Sequence, residues 1–240
     1  MNDTRQFHLL AGQVSDRGAR SDEAIYQALW EAIVEHRLSP GARLPEDALS
    51  HAFGVSRTTI RRVLQRLALE QLVTLRPNRG AQVTSPTPSE ARDVFRARRL
   101  LENALLAEVL PRLTPADLKA LEAIHQRETR ARREHAIRLS AEFHSRLMAM
   151  ADSPSLSEAL SQLISRTSLI IAVYGRAGAG CPCEHIELID LLRAGELAPV
   201  QRWMNDHLTR IEASLDFTAS GEALPDFEHL FGHHREQSAS

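Results

Sequence analysis

The sequence predicts a mainly α-helical protein with one small β hairpin in its first third. Apolar residues recur at three- and four-residue spacing through most of the 240-residue chain, which is the pattern of helices with one buried face. Two short β-branched runs, at 72–76 and 81–85, flank the turn "PNRG" and predict the hairpin. The Pro- and Ser-rich stretch "SPTPSE" at 85–90 separates the hairpin from the helical remainder.

This stretch divides the chain into two domains. We expect a flexible N-terminal arm at 1–20 and a first domain at 21–85. A second, helical domain is expected at 86–218, followed by a frayed tail at 219–240. The arm and the tail are assigned because both ends of the sequence lack sustained helical spacing.

The first domain has the pattern of a winged helix-turn-helix, in which a β hairpin follows two helices joined by a tight turn. A first helix begins with Ser21 or Asp22 as its N-cap and runs through "EAIYQALWEAIVEHR" until "LSPGARLP" ends it. A second lies in "EDALSHAF", Gly54 provides the turn, and a third follows in "RTTIRRVLQRLALEQ". The runs "LVTLR" and "AQVTS" then form a two-stranded wing.

The third helix and the wing carry a concentrated positive charge. The segment 56–79 has one acid, Glu70, against six arginines, a net charge of +5, whereas the whole chain carries −2. Such a basic segment favours a polyanionic partner, although a solvated helix face also carries arginines. The six are Arg57, Arg61, Arg62, Arg66, Arg76 and Arg79.

The residue types at the start of the third helix indicate that this polyanion is DNA. Ser56, Thr58 and Thr59 place hydroxyl groups beside the backbone N–H groups of a helix N-terminus, and together these can hold a phosphate. Arg57 has the planar fork that matches the O6 and N7 edge of guanine. We therefore expect contacts to double-stranded DNA from these four residues and, at the tip of the wing, from Arg79 and Gly80.

The second domain contains six segments with helical spacing, separated by Pro, Gly or Asp-Ser-Pro breaks. Sequences of this kind predict an antiparallel all-α bundle. The segments begin at Asp93, Pro115, Ile137, Ser155, Glu184 and Leu197.

Three histidines of this domain face its predicted core. His144, His185 and His207 each share a helical stripe with apolar residues, on three different helices. One inward histidine is usually a core residue with a hydrogen-bond partner, but three need three buried partners. A shared zinc or nickel ion would satisfy all three, because both ions bind imidazole nitrogen.

The segment 38–83, "LSPGARLPEDALSHAFGVSRTTIRRVLQRLALEQLVTLRPNRGAQV", resembles the winged helix of GntR-type bacterial transcription regulators. The motifs "FRARRLLE", "EFHSRL", "EHIELIDLLRAGE" and "MNDHL" resemble, in this order, the ligand-binding FCD domain of that family's FadR-like subgroup. The resemblance covers roughly 22–218. It implies a homodimer that binds a short palindrome and responds to a metabolite, and it gives the DNA-contact role to Ser56, Arg57, Thr58, Thr59 and Arg61.

The same resemblance implies a metal on the three histidines, at the floor of an effector pocket. Metal-binding members commonly carry an aspartate four residues before the first histidine, whereas this chain has Ser140 there. The site therefore either holds its metal on three histidines and water or has lost it, and a retained metal without that carboxylate favours an anionic effector. Arg98 takes the place of an arginine that holds an effector carboxylate in the family; the alternative is a surface ion pair with Glu102.

The cysteines and the hydropathy indicate the compartment. The two cysteines, Cys181 and Cys183, are too close for a disulfide framework, and Cys183 is either a loop thiol or a stray metal ligand. The start of the sequence has no signal-peptide pattern, and no stretch reaches the roughly 20 apolar residues of a membrane span. We expect a reduced, cytoplasmic protein.

These features favour a transcription regulator, and more specifically a repressor, whose DNA binding is modulated by an organic acid or sugar acid. A metal-sensing regulator is one alternative. A zinc enzyme with three histidine ligands is another. It is disfavoured because the sequence has no HExxH motif and because an enzyme has no evident use for a winged helix.

Overall fold

The computed structural model describes residues 22–76, 80–175 and 185–218. These residues divide into two units, one at 22–85 and the other at Pro86–Phe217. The predicted arm at 1–20, Arg79 at the wing tip, the two cysteines and the tail at 219–240 lie outside the described residues.

The first unit contains three helices and a small antiparallel sheet with the strand order β1–β3–β2. The prediction of a two-stranded wing was therefore incomplete. The additional strand is only two residues long, too short to show alternation in the sequence, and it pairs Arg43 with Gln82 and Leu44 with Ala81. The elements are α1 Asp22–Val34, β1 Arg43–Leu44, α2 Glu46–Phe53, α3 Arg57–Leu69, β2 Val73–Arg76 and β3 Gly80–Val83.

A tight turn at Gly54 joins α2 to α3. Gly54 ends α2 with a φ of 66°, in the left-handed region that glycine enters without a steric cost. Ser56 then caps α3, because its side chain accepts a hydrogen bond from the Thr59 N–H at 3.1 Å. Phe53 and Ile60 are fully buried behind the turn. Burial of such side chains stabilises the fold by roughly 1.5–3 kcal/mol each, which holds α3 in place against α2.

The second unit is a helical bundle. Two of its helices start with reciprocal capping boxes, Thr87 with Glu90 and Thr114 with Asp117. The elements are α4 Pro88–Val109, a 3₁₀ turn at Leu110–Arg112, α5 Pro115–Glu128, α6 Arg133–Met148, α7 Pro154–Tyr174, α8 His185–Ala194 and α9 Leu197–Ala213. Helix α4 packs against α7 and α9, and α6 packs against α5 and α7.

The core of this unit lies where the helices meet. Leu106, Phe143, Leu188 and Leu208 expose none of their surface. In the described part of the chain, no helix combines the length and the apolar character that a membrane span requires. The predicted fold class, a mainly α protein with an N-terminal winged helix-turn-helix, is confirmed.

Candidate functional site

The start of α3 forms one face of an open groove in the first unit. Ser56 and Thr59 join their hydroxyl groups at 3.1 Å, whereas Arg57 and Thr58 are exposed. The groove has a volume of about 530 Å³. Its lining comes from α2, α3 and the two long strands, and it includes Glu46, Asp47, Arg57, Arg61, Arg76 and Gly80.

Carboxylates of α2 lie beside the two foremost arginines of this groove. Arg57 Nε is 2.6 Å from Asp47 Oδ1. Arg61 donates two hydrogen bonds to Glu46, at 3.2 and 2.8 Å, and this pairing lowers the pKa of the Glu46 carboxyl. These pairs are solvent-exposed on the arginine side, so each adds little to stability.

The next two arginines of α3 pair with α1 in the same way. Arg62 contacts Asp22 at 2.9 Å, and Arg66 contacts Glu23. Four of the six arginines of the basic segment, those on α3, are therefore each paired with an acid from one of the two preceding helices. The sequence-based charge count missed these acids because they lie 10 to 43 positions away in the chain.

In the second unit, the structure brings the three inward histidines together. His144 projects from α6, His185 is the first residue of α8, and His207 projects from α9. In this order, the three residues expose 2%, 0% and 1% of their surface. The ring centroids are 5.2 to 5.5 Å apart, and one nitrogen from each ring lies within 4.8 Å of the others.

Two buried carboxylates orient two of these rings. Glu102 Oε2 is 2.7 Å from Nδ1 of His144, and Glu128 Oε2 is 2.8 Å from Nδ1 of His185. Where Nδ1 donates to a carboxylate, the proton is fixed on that nitrogen and Nε2 is left with its lone pair. Among the described residues, Nε2 of His185 and Nε2 of His207 have no hydrogen-bond partner.

Burial favours the neutral form of two of the imidazoles, those of His144 and His207. Burial lowers the pKa of His144, although Glu102 opposes this effect. Burial also lowers the pKa of His207 far below its usual value. Burial alone would raise the pKa of Glu102, but Arg98 and His144 lower it to about 2. Neutral imidazoles held by carboxylates on the opposite nitrogen are the arrangement found around protein-bound metals.

Arg98 lies inside the unit, so the interpretation of a surface ion pair is wrong. Arg98 is only 3% exposed, and its Nε and Nη2 atoms lie 2.7 and 2.6 Å from Oε1 of Glu102. Both residues are on α4, one turn apart. One oxygen of the Glu102 carboxylate therefore pairs with Arg98, and the other hydrogen-bonds to His144.

A cavity of about 20 Å³ adjoins this chain of contacts. Polar and aliphatic side chains both line it. The polar ones are Arg98, Ser140, His144, Thr167 and Ser168, and the aliphatic ones are Ile137, Ala141, Ile164, Ile171 and Ile211. The structure thus places Arg98 and Ser140, which lie 42 positions apart, on one surface with a candidate metal ligand.

Comparison with known families agrees with both units. The model of "Bacterial regulatory proteins, gntR family" matches residues 21–83, and the FCD domain model matches residues 93–210. Together they span most of the chain. The chain belongs to the GntR family. It carries the FCD domain of the subgroup that the sequence motifs resemble.

The individual relatives are transcription regulators, and the match covers most of the length of each. The HTH-type transcriptional repressor RspR of Escherichia coli (strain K12) is 25% identical over 201 residues, 81% of this chain and 88% of the relative. McbR of the same strain, an HTH-type transcriptional regulator, is 28% identical over 162 residues, 65% and 73%. A GntR transcriptional regulator from Rhodococcus sp. RHA1 has a TM-score of 0.68 at 25% identity and covers 80% of this chain and 95% of that chain.

This GntR-family protein is a transcriptional regulator and not an enzyme, as predicted. Sequence reasoning missed Glu102 as a partner of His144, and it missed Glu128 altogether. Glu128 ends a helix in which no other Asp, Glu, Lys or Arg side chain is buried. The sequence signal for it is its position four residues after Ile124 and seven after Leu121, which puts it on the buried face of α5.

We predict that Glu102→Ala lowers the free energy of unfolding by about 3–5 kcal/mol, because it leaves the Arg98 guanidinium as an uncompensated buried charge. The double variant Arg98→Met/Glu102→Leu removes both charges at similar volume and is expected to lose less than half as much. Urea unfolding followed by circular dichroism measures both. Equal losses in the single and the double variant would contradict the explanation.

Proposed function

We propose that this regulator is a cytoplasmic homodimeric repressor. Its first domain, 21–85, binds a short palindromic operator, and its second domain, 86–218, binds a small carboxylate effector and joins the two copies. The arrangement of side chains at the start of α3 is the main support for the proposed DNA binding. Exposed Arg57, hydroxyl groups and the N-terminus of a helix meet there beside a groove that the strands also line.

The roles within the groove follow from side-chain chemistry. Arg57 reads a base edge, since its side chain is 67% exposed and its ion pair with Asp47 is exposed too. Ser56, Thr58, Thr59 and Arg61 contact the phosphates and fix the register of the helix. Arg79 and Gly80 are proposed to approach the duplex from the wing.

The effector part rests on the cavity beside Arg98. The guanidinium, the three hydroxyl-bearing residues and the imidazole in its lining suit a carboxylate, and the isoleucines in the same lining suit a short carbon skeleton. A volume of about 20 Å³ holds about one water. An organic acid therefore enters only when the surrounding helices separate, and its binding favours that more open state.

The three histidines fit a divalent metal. They offer buried imidazole nitrogens, and carboxylates on the Nδ1 side of His144 and His185 fix which nitrogen faces inward. His144, His185 and His207 would hold the ion, zinc or nickel, through three nitrogens. When bound, the ion would supply a positive centre for an effector carboxylate.

Metal sensing is the second candidate function. The size of the cavity favours it, because an ion needs no separation of the helices whereas an organic acid does. In this case the ion itself is the signal, and operator affinity would follow free zinc or nickel at concentrations near the dissociation constant. In the leading proposal the ion stays bound while the effector exchanges.

We predict that Arg57→Ala weakens binding to the operator by about 5- to 100-fold, the effect of losing one arginine–guanine contact. Arg62→Ala is the matched control: it removes another ion-paired arginine, five residues further along α3, and we expect a smaller, sequence-independent loss. Fluorescence anisotropy with DNA from the chain's own promoter region measures both. If the two variants bind alike, Arg57 does not read a base.

We predict that Asp47→Asn raises affinity for non-operator DNA more than for the operator. The variant removes a negative charge that faces the phosphates and releases Arg57 from its ion pair. The measured quantity is the ratio of dissociation constants for scrambled and operator duplexes, with Asp22→Asn as the control on α1. A ratio that Asp47→Asn leaves unchanged would show that Asp47 has no part in discrimination.

We predict about one zinc or nickel ion per chain at the three histidines, lost in His144→Ala. Ser140→Asp restores a carboxylate one turn before His144 and should tighten the binding of this ion at least tenfold. Ser140→Asn is the matched neutral control. Elemental mass spectrometry on tag-free protein purified without chelator gives the content, and competition with a chromophoric chelator gives the affinity. Equal affinities for the Asp and Asn variants would contradict a metal next to Ser140.

A further inference from the structure

A second group of metal-ligand side chains lies on the far side of His185. His125 and Glu128, both on α5, approach the Nδ1 edge of the His185 ring, whereas His144 and His207 lie around the same ring from other helices. Glu128 Oε2 is 2.8 Å from Nδ1 of His185 and 3.6 Å from Nδ1 of His125. The three ligand atoms all lie within 4.8 Å of one another.

The donor set and its spacing suit a transition metal. Two imidazole nitrogens and one carboxylate oxygen are ligands of zinc, nickel and copper. In a tetrahedral site with metal–ligand distances near 2.0–2.1 Å, ligand atoms lie about 3.3 Å apart, and the two distances to Glu128 bracket this value. Among the described residues, Nδ1 of His125 is buried and has no hydrogen-bond partner. A cation at this position would instead accept the lone pair of this nitrogen.

We propose that His125, Glu128 and Nδ1 of His185 form a second divalent-cation position, adjacent to the three-histidine centre and sharing the His185 ring with it. When this position fills, the Nδ1 proton leaves to solvent and the metal–nitrogen bond replaces the hydrogen bond to Glu128. The imidazolate then bridges two cations, and the Glu128 carboxylate offsets part of their charge.

The second position lies nearer to solvent than the first. The side chain of His125 is 12% exposed, whereas that of His185 is fully buried. We expect the outer ion to exchange faster with chelator than the inner one. The proposal rests on the three-histidine centre for its neighbour, but His144 and His207 are not among its own ligands, so each position can be tested without the other.

The experiment measures zinc stoichiometry on the full chain after removal of metal, by equilibrium dialysis against buffered free zinc and elemental mass spectrometry. Wild type is expected to bind two ions, and His125→Ala and His207→Ala one each. His135→Ala, which removes a histidine outside both groups, is the matched control and should keep both ions. His125→Gln replaces His125→Ala if the latter fails to fold, as judged by circular dichroism.

The stoichiometries separate the two positions. One ion in wild type that is lost in His207→Ala and kept in His125→Ala would overturn the second position and leave the first. One ion lost in His125→Ala and kept in His207→Ala would support the second position and overturn the first. No ion in wild type would overturn both.

Copper tests the shared ring. Two copper(II) ions joined by an imidazolate couple magnetically, so the electron paramagnetic resonance signal of the doubly loaded wild type should fall well below that of two isolated ions. In His125→Ala the signal per bound copper should be that of an isolated ion. An uncoupled signal from two ions in wild type would overturn the bridging role of His185.

Discussion

The helical unit depends on pairing the guanidinium and the carboxylates that it buries inside an apolar core. A guanidinium, two carboxylates and three imidazoles lie among leucine, isoleucine and phenylalanine side chains with almost no exposure. An isolated charge in such surroundings is costly, so each needs a partner in place. Glu102 meets this condition for two groups at once, because one of its oxygens faces Arg98 and the other faces His144. Helix α4 is thereby tied to α6 through polar contacts that admit few alternative arrangements.

In the DNA-binding unit the ion pairs are exposed and can exchange their partners, whereas those of the helical unit are buried and fixed. The arginines of α3 pair with acids of α1 and α2, but these pairs are exposed and individually weak. Phosphates and base edges can replace the acids as partners of the arginines with little loss of free energy. The acids that lose their partners then face the polyanion. A surface built in this way binds DNA less tightly in general than its arginine count indicates. Its affinity for DNA therefore depends more on base contacts that only the operator sequence offers.

The helical spacing was enough to predict the helices and their inward faces. Helix α2 occupies the predicted residues 46–53, and His144, His185 and His207 are buried on the predicted stripes. Partners distant in the chain were not predictable. Glu102 read as a surface residue because an Arg and a Glu four apart are most often exposed, and only the packing of α6 on α4 shows otherwise. The strand β1 and the acids opposite α3 were missed for the same reason.

The contacts of Glu102 also bear on how an effector and a metal would influence each other. An effector carboxylate that binds Arg98 competes with Oε1 of Glu102 for the guanidinium. Once released, Glu102 carries its charge towards His144 alone, where it strengthens the imidazole as a metal ligand. Binding free energies are reciprocal, so a metal on His144 must then favour effector binding by the same factor. The two ligands of the proposed function would thus be coupled through one buried carboxylate, with no need for a longer pathway.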